Sequence, residues 1–148
     1  VAQGDIFLFQ GFEFNRNAPL SATFFAPYDV LIDRTNGLLD VSVTAFTPKE
    51  LLVAPQGATH YKFLSAAVAL DFPNDQYEVA TQESGVLPWD QAEAAPLTLS
   101  HTLTPDNPYP MLLVLGVVFY QELNGQFYAL RNGANNAMAV VGVSQGTA

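Results

Sequence analysis

The sequence predicts an all-β protein, a sandwich of two antiparallel sheets of the Ig-like or Greek-key type. About nine short strand-like segments are separated by turn residues, several of them alternate apolar with polar residues, and no 3.6-residue apolar period lasts beyond two turns. A closed β-barrel has the same signals and is the alternative. With 148 residues, the chain suits one β-sandwich domain, residues 1–148, with a full hydrophobic core.

The first half of the chain contains a predicted hairpin and one long strand. Strands are predicted over residues 5–9, 22–26, 28–33, 38–45 and 59–70. The segment Arg34-Thr35-Asn36-Gly37 suits a hairpin loop with Gly37 in the left-handed conformation, and Asp33 starts that turn. Residues 41–45 (VSVTA) alternate cleanly and therefore have one face in water, whereas residues 66–70 (AAVAL) are apolar on both faces.

The second half is dominated by a hairpin over residues 111–130. Further strands are predicted over residues 77–83, 97–103 and 137–143, with loops elsewhere and a helical turn at 48–51. Asn124-Gly125 is the strongest short-range hairpin signal, because a type I′ turn needs positive φ at both central residues. This turn sets the register, so that Leu123 lies opposite Gln126 and Tyr120 lies opposite Ala129.

Neither face of this hairpin is polar, although a one-sided antiparallel sheet alternates clearly between apolar and polar residues. Either loops of the same chain cover the second face, or another subunit does. The second interpretation gives a candidate interface of Val118, Tyr120, Phe127 and Ala129 on the hairpin. The apolar residues of the first strand, Ile6 and Leu8, are added to it because a terminal strand can extend a neighbour's sheet.

The charge balance excludes several classes of partner. Five basic and 14 acidic residues give a net charge of −9, which argues against nucleic acid and anionic membranes, since both bind basic patches. No apolar run reaches the ~18 residues of a spanning helix, so membrane insertion is not expected. The chain has no cysteine, which excludes disulfides and thiolate metal sites. It begins with Val1 and no signal peptide, so we expect a fragment or a processed form.

Catalytic and metal-binding motifs are not found, so we predict no enzyme activity, no cofactor and no metal site. Of the two histidines, His60 has no local partner and His101 shares a face with leucines, which is typical of a satisfied core histidine. Asp71, Asn74 and Asp75 have the spacing of a calcium loop but fewer oxygens than the ~6–8 that calcium takes. An Asp/Asn turn that bonds its own backbone is the simpler interpretation.

Several turn and strand signatures resemble the C-terminal region of a family of uncharacterised Bacteroidota proteins. They are Gly11-Phe-Glu-Phe-Asn15, Phe25-Ala-Pro-Tyr28, Ala54-Pro-Gln-Gly-Ala-Thr-His-Tyr-Lys-Phe63, Leu87-Pro-Trp-Asp90 and Asn132-Gly-Ala134, with the 116–130 hairpin. The resemblance covers most of the chain and implies no activity and no catalytic residue. It implies a more basic segment before this region and a bacterial extracellular or cell-surface setting.

Two functions are therefore weighed. The first is a non-enzymatic structural subunit that binds other copies of itself through sheet edges or apolar strand faces, as a homo-oligomer or an extracellular filament. The alternative is a carbohydrate- or peptide-binding module that uses Trp89, the only tryptophan, with Tyr109 and other loop tyrosines. A hydrolase built on unmarked carboxylates is the third and weakest class.

Overall fold

The computed structural model describes residues 19–71, 73–90, 92–130 and 137–144. In this part of the chain, nine strands form two antiparallel sheets, which confirms the predicted all-β two-sheet fold. The elements are α1 (Leu20–Thr23), β1 (Tyr28–Asp33), β2 (Leu38–Val43), α2 (Pro48–Leu51), β3 (His60–Asp71), β4 (Gln76–Glu83), β5 (Leu87–Pro88), β6 (Leu97–Thr102), β7 (Met111–Leu123), β8 (Gln126–Ala129) and β9 (Ala137–Ser144).

The chain alternates between the sheets, as a Greek-key sandwich does. The small sheet has the order β1-β2-β6. In the large sheet, β3 and β7 form the centre, β4 and β5 both pair with β3, and β8 and β9 both pair with β7. Among the described strands the two sheets share no ladder, so the architecture is a sandwich and not the alternative closed barrel.

The core lies between the inner faces of the two sheets. The small sheet contributes Leu39, Val41, Val43 and Leu99, and the large sheet contributes alternate residues of β3 and β7, including Tyr61, Phe63, Leu113, Leu115, Val117 and Phe119. Phe24 and Phe46 pack against Phe63 with ring centroids 5.1 and 6.2 Å away. Each fully buried side chain of this kind stabilises the fold by about 1.5–3 kcal/mol relative to exposure.

Both predicted hairpin turns are confirmed. Asn124 and Gly125 have φ of 53° and 80°, and Leu123 pairs with Gln126, as the type I′ prediction requires. Gly37 has φ of 71°, and a Cβ atom there would collide with the Leu103 carbonyl. Asp33 accepts a 2.8 Å hydrogen bond from the Asn36 side chain, which lowers the pKa of Asp33.

The strand predicted over residues 22–26 is wrong. Residues 20–23 form the helical turn α1, in which the Thr23 hydroxyl donates to the Pro19 carbonyl at 2.9 Å, and only Phe24 makes an isolated bridge, to Leu52. The turn places Leu20 and Phe24 in the core, so tertiary packing overrides the local β propensity. The predicted strand at 5–9, the interface residues Ile6 and Leu8, and the turn at 132–136 lie outside the described residues.

Ser84 closes an interruption in the edge of the large sheet between β4 and β5. The β4 ladder ends at the pair of Leu64 with Glu83, and the β5 ladder begins at the pair of Tyr61 with Leu87. Between them the Ser84 amide donates to the Phe63 carbonyl at 3.0 Å, and the Ser84 hydroxyl accepts the Phe63 amide at 3.0 Å. Both backbone groups of Phe63 are therefore paired without a continuous strand.

Candidate functional site

The outer face of the large sheet, which points away from the core, is apolar over most of its width. We call this surface the apolar outer face. Its apolar members are Leu64, Ala66, Val68 and Leu70 on β3, Tyr77 and Val79 on β4, Leu112, Val114, Val118 and Tyr120 on β7, and Met138, Val140 and Val143 on β9. The four β3 positions are half-buried, Val79 is 45% and Tyr77 is 73% exposed, and Val114 and Val140 are buried, at 9% and 2%.

The strand register aligns these side chains in rows that run straight across the sheet. One row consists of Val79, Val68, Leu112 and Val143, because Val68 pairs with both Val79 and Leu112, and Leu112 pairs with Val143. We call it the valine row. Directly opposed side chains on neighbouring strands lie ~4.5–5.5 Å apart, so the row is a continuous apolar band.

A groove of about 510 Å³ lies beside the valine row. It is lined by Leu64, Ala66, Thr81, Glu83, Val114 and Met138 together with parts of Ser65 and Gln82. The groove exists because small residues occupy the middle of the sheet here: Ala66 lies in the row next to the valine row, and Gly116 pairs with Leu64 in the row after that. Its base is apolar, and Thr81 and Glu83 place polar groups at its rim.

The outer face of the small sheet differs in composition. Its β2 and β6 positions are polar except for Leu38: they are Leu38, Asp40, Ser42, Thr98, Ser100 and Thr102, and the Ser42 and Thr98 hydroxyls lie 3.3 Å apart. On β1 the same face has one exposed apolar side chain, Leu31 at 54%. This is the clean alternation expected for residues 41–45, with one face in water.

The predicted interface residues on the hairpin belong to the apolar outer face, next to the groove on the side opposite the valine row. Val118, Tyr120 and Ala129 are half-buried and Phe127 is 46% exposed. Polar side chains of the same chain pack on two of them: the Lys62 ammonium lies 5.5 Å from the Tyr120 ring centroid, and the His60 ring lies 4.8 Å from that of Phe127. The chain thus covers part of the hairpin with its own residues, and its use as an interface stays a prediction.

The buried histidine His101 ties the two sheets together and has no catalytic geometry. Its Nδ1–H donates to the Leu39 carbonyl at 2.7 Å, so Nε2 is left to accept the Ser65 hydroxyl, also at 2.7 Å. Ser65 and His101 are 4% and 1% exposed, and the ring nitrogen that would take an orienting carboxylate bonds a backbone carbonyl instead. His101 is the satisfied core histidine that the sequence indicates.

In the Asp71–Asp75 turn, the Asp71 carboxylate accepts hydrogen bonds from a residue of the same turn. Asp71 accepts the Asn74 amide at 3.3 Å and the Asn74 side chain at 2.9 Å, which is the predicted Asp/Asn turn that bonds its own backbone, and Asp75 has φ of 54°. The negative charge of Asp71 and a hydrogen bond to it raise the pKa of Tyr109. Within the described ranges, no group of three or more His, Cys, Asp or Glu side chains is arranged to hold a metal ion.

The two aromatic residues of the binding-module hypothesis do not share a surface. The Trp89 indole donates to the Leu52 carbonyl at 3.0 Å and packs against the core, beside the start of β3. Tyr109 lies near Asp71, at the other end of β3. Eleven residue steps separate His60 from Asp71 along β3, roughly 36 Å at ~3.3 Å per residue. One sugar or short peptide segment therefore does not meet both residues.

The β4 and β9 residues of the apolar outer face were not predicted from the sequence. Tyr77, Val79 and Met138 were not among the predicted interface residues, although residues 66–70 were seen to be apolar on both faces, and that observation is the available signal. Comparison of the chain with family models, with curated proteins and with solved structures finds no match. None of the described helices has the length and apolar character needed to cross a membrane.

Proposed function

We propose that the protein is a non-enzymatic structural subunit that self-associates through the apolar outer face of its large sheet. The observation that carries the proposal is the contrast between this surface and the polar outer face of the small sheet. Half-buried and exposed apolar side chains side by side on four strands exceed the scattered apolar residues of an ordinary protein surface.

The area of this surface fits a second copy of the chain. β3 and β7 pair over ten residues, and β4 or β5 flanks β3, and β8 or β9 flanks β7, along most of that length. At ~3.3 Å per residue and ~4.8 Å between strands, four strands cover roughly 600 Å². A standard protein interface takes ~800 Å² from each partner, so face-to-face packing with modest rim contacts reaches that size.

The distribution of charge also favours a second copy. The chain has a net charge of −9, so two copies repel each other over most approaches. Of the described residues that line the valine row and the groove, only Glu83 is ionised, and its carboxylate lies 3.4 Å from the Lys62 ammonium. Two apolar outer faces can therefore meet without bringing unpaired like charges together.

Face-to-face packing gives a closed dimer, because each copy contributes the same surface once. A filament requires a second, head-to-tail contact, for which the exposed hairpin tip with Leu123, Phe127 and Tyr128 is available. The extracellular or cell-surface setting in bacteria remains part of this proposal. The glycan- or peptide-binding alternative stays a prediction that the separation of Trp89 and Tyr109 does not favour.

A pair of matched variants tests the proposal. Val79→Glu places a charge on the apolar outer face, and Leu31→Glu places the same charge on the outer face of the small sheet. Both positions are exposed and lie on edge strands. In sedimentation velocity at micromolar concentration, we expect dimers for the wild type and for Leu31→Glu, and monomers for Val79→Glu. Circular dichroism confirms that both variants fold.

A wild-type chain that sediments only as a monomer contradicts the proposal. Equal loss of association in both variants also contradicts it, because the contact would then not be confined to the large sheet.

A further inference from the structure

We propose that two copies pack about a two-fold axis that runs along the valine row, so that Tyr77 of each copy enters the groove of the other. This inference rests on the proposed function and specifies the register of the dimer. It adds the residue that each copy inserts and the site that receives it.

The row geometry leads to this register. Tyr77 pairs with Leu70 in the row on one side of the valine row, and Thr81 pairs with Ala66 in the row on the other side. A two-fold axis along the valine row exchanges these two sides. It therefore brings Tyr77 of one copy over Thr81 and Ala66 of the second copy, where the groove begins, and each valine-row residue meets its own counterpart.

The shapes of the two surfaces are complementary in this register. Tyr77 is 73% exposed, more than any other large hydrophobic side chain in the described ranges. It projects from β4 at one end of the surface, whereas the groove is a depression at the other end, with Ala66 at its base. The groove volume of about 510 Å³ falls in the ~300–1,000 Å³ range of pockets that hold organic groups.

The chemistry of the groove suits a tyrosine. Leu64, Ala66 and Val114 supply an apolar base for the ring, and Thr81 and Glu83 supply polar groups at the rim for the phenol hydroxyl. Tyrosine is favoured at interfaces because one end of its side chain is apolar and the other end needs a hydrogen-bond partner. Two equivalent insertions per dimer make Tyr77 the expected hot spot of the interface.

Truncation of the inserted residue is the first test. Tyr77→Ala is expected to weaken the dimer at least about 30-fold, which is the change in Kd for a hot spot worth ~2 kcal/mol. Tyr128→Ala is the matched control, because Tyr128 is also an exposed strand tyrosine but points away from the apolar outer face, and its dimer should be unchanged. Equal dissociation constants for wild type and Tyr77→Ala overturn the inference.

Cross-linking tests the axis directly, because the chain has no cysteine and an added one is the only reactive thiol. Facing sheets lie ~10 Å apart, so a short bis-maleimide can join two thiols that meet across the axis. Val79→Cys should cross-link to its own copy. Phe127→Cys should not, because Phe127 pairs with Glu122, ten residues from Leu112 along β7 and thus ~33 Å from the axis.

The outcomes separate this inference from the proposed function. A wild-type dimer in which Val79→Cys does not cross-link, or in which Phe127→Cys does, refutes the register and leaves face-to-face association standing. A wild-type monomer refutes both. A monomer whose groove takes up an apolar dye, with the uptake lost in Ala66→Glu, assigns the groove to a small apolar ligand and likewise refutes the inference.

Discussion

The outer faces of the two sheets have the same strand geometry but opposite composition, because that of the small sheet is mostly polar and that of the large sheet is mostly apolar. On the small sheet, the pair of Ser42 with Thr98 is polar and solvent-facing; on the large sheet, the corresponding kind of pair, Val68 with Val79, is apolar. The inner faces of both sheets are mostly apolar. Alternation along a strand is thus expected where one face is solvated, and a strand that is apolar on both faces is the pattern expected where both faces are covered.

The largest expected effect is the difference in stability loss between substitutions on the inner face and on the outer face of β3. Phe63→Ala removes a ring from the core and should lower the free energy of unfolding by about 3–5 kcal/mol. Leu64 is the next residue along β3 and lies half-buried on the apolar outer face. Leu64→Ala should lower the free energy of unfolding of the monomer by less than about 1.5 kcal/mol. Urea unfolding of dilute protein measures both, and equal losses would mean that the outer face is already packed like the core.

The next largest effect concerns the hydrogen bond between Ser65 and His101, which links the two sheets. Ser65→Ala leaves the buried Nε2 of His101 without its donor, and should lower the free energy of unfolding by about 1–3 kcal/mol. Ser100→Ala, on the exposed outer face of the small sheet, is the control and should change it by less than about 0.5 kcal/mol. If both variants unfold at the same urea concentration, the Ser65–His101 hydrogen bond does not hold the sheets together.

A smaller effect of opposite sign is expected at Tyr61. Its ring is buried on the inner face of β3 and its hydroxyl has no partner in the described part of the chain, so Tyr61→Phe should raise the free energy of unfolding by about 1 kcal/mol. Burial also raises the pKa of Tyr61 from 10.0 to about 12. The folded state therefore holds this proton more tightly than the unfolded state.

The sign of the pH dependence follows. As the pH rises from 10.0 to about 12, the unfolded chain loses the Tyr61 proton first, so wild-type stability should fall over this interval by more than that of Tyr61→Phe. Parallel thermal scans of the two proteins measure the difference. An identical decline would show that the Tyr61 hydroxyl reaches solvent.

The smallest expected effect is the response of the proposed dimer to salt. Each copy has a net charge of −9, and the Debye length falls from ~10 Å at 0.1 M to ~3 Å at 1 M salt. Added sodium chloride should therefore tighten the dimer several-fold, because it screens repulsion around an uncharged contact. Weaker association at high salt would instead indicate that charge pairs hold the interface.

The sequence predicted those features that depend on neighbouring residues. Asn124-Gly125 determined the hairpin register, and the bounds of β1 and β7 match the predicted strands because turn residues flank both segments. The strand at 22–26 was wrong because the Thr23 hydroxyl and the burial of Leu20 favour a helical turn. The local sequence pattern does not show the stabilisation that comes from burying Leu20 in the core.

The candidate site was predictable only in part, because it depends on pairing between distant segments. Residues 66–70 signalled a second covered face, but the valine row forms only when β3, β4, β7 and β9 adopt one register. The same holds for the distance between Trp89 and Tyr109, which are 20 residues apart in sequence and lie at opposite ends of β3. Neither the valine row nor the separation of Trp89 from Tyr109 can be predicted from the spacing of residues in the sequence.

Ser84 also affects which backbone groups of the large sheet remain open to pairing with another strand. By saturating the amide and carbonyl of Phe63, it withdraws from any foreign strand a backbone segment that would otherwise be a template for cross-β growth. A proline at this position would remove both of these hydrogen bonds, whereas a glycine would keep the amide donor and lose the hydroxyl acceptor.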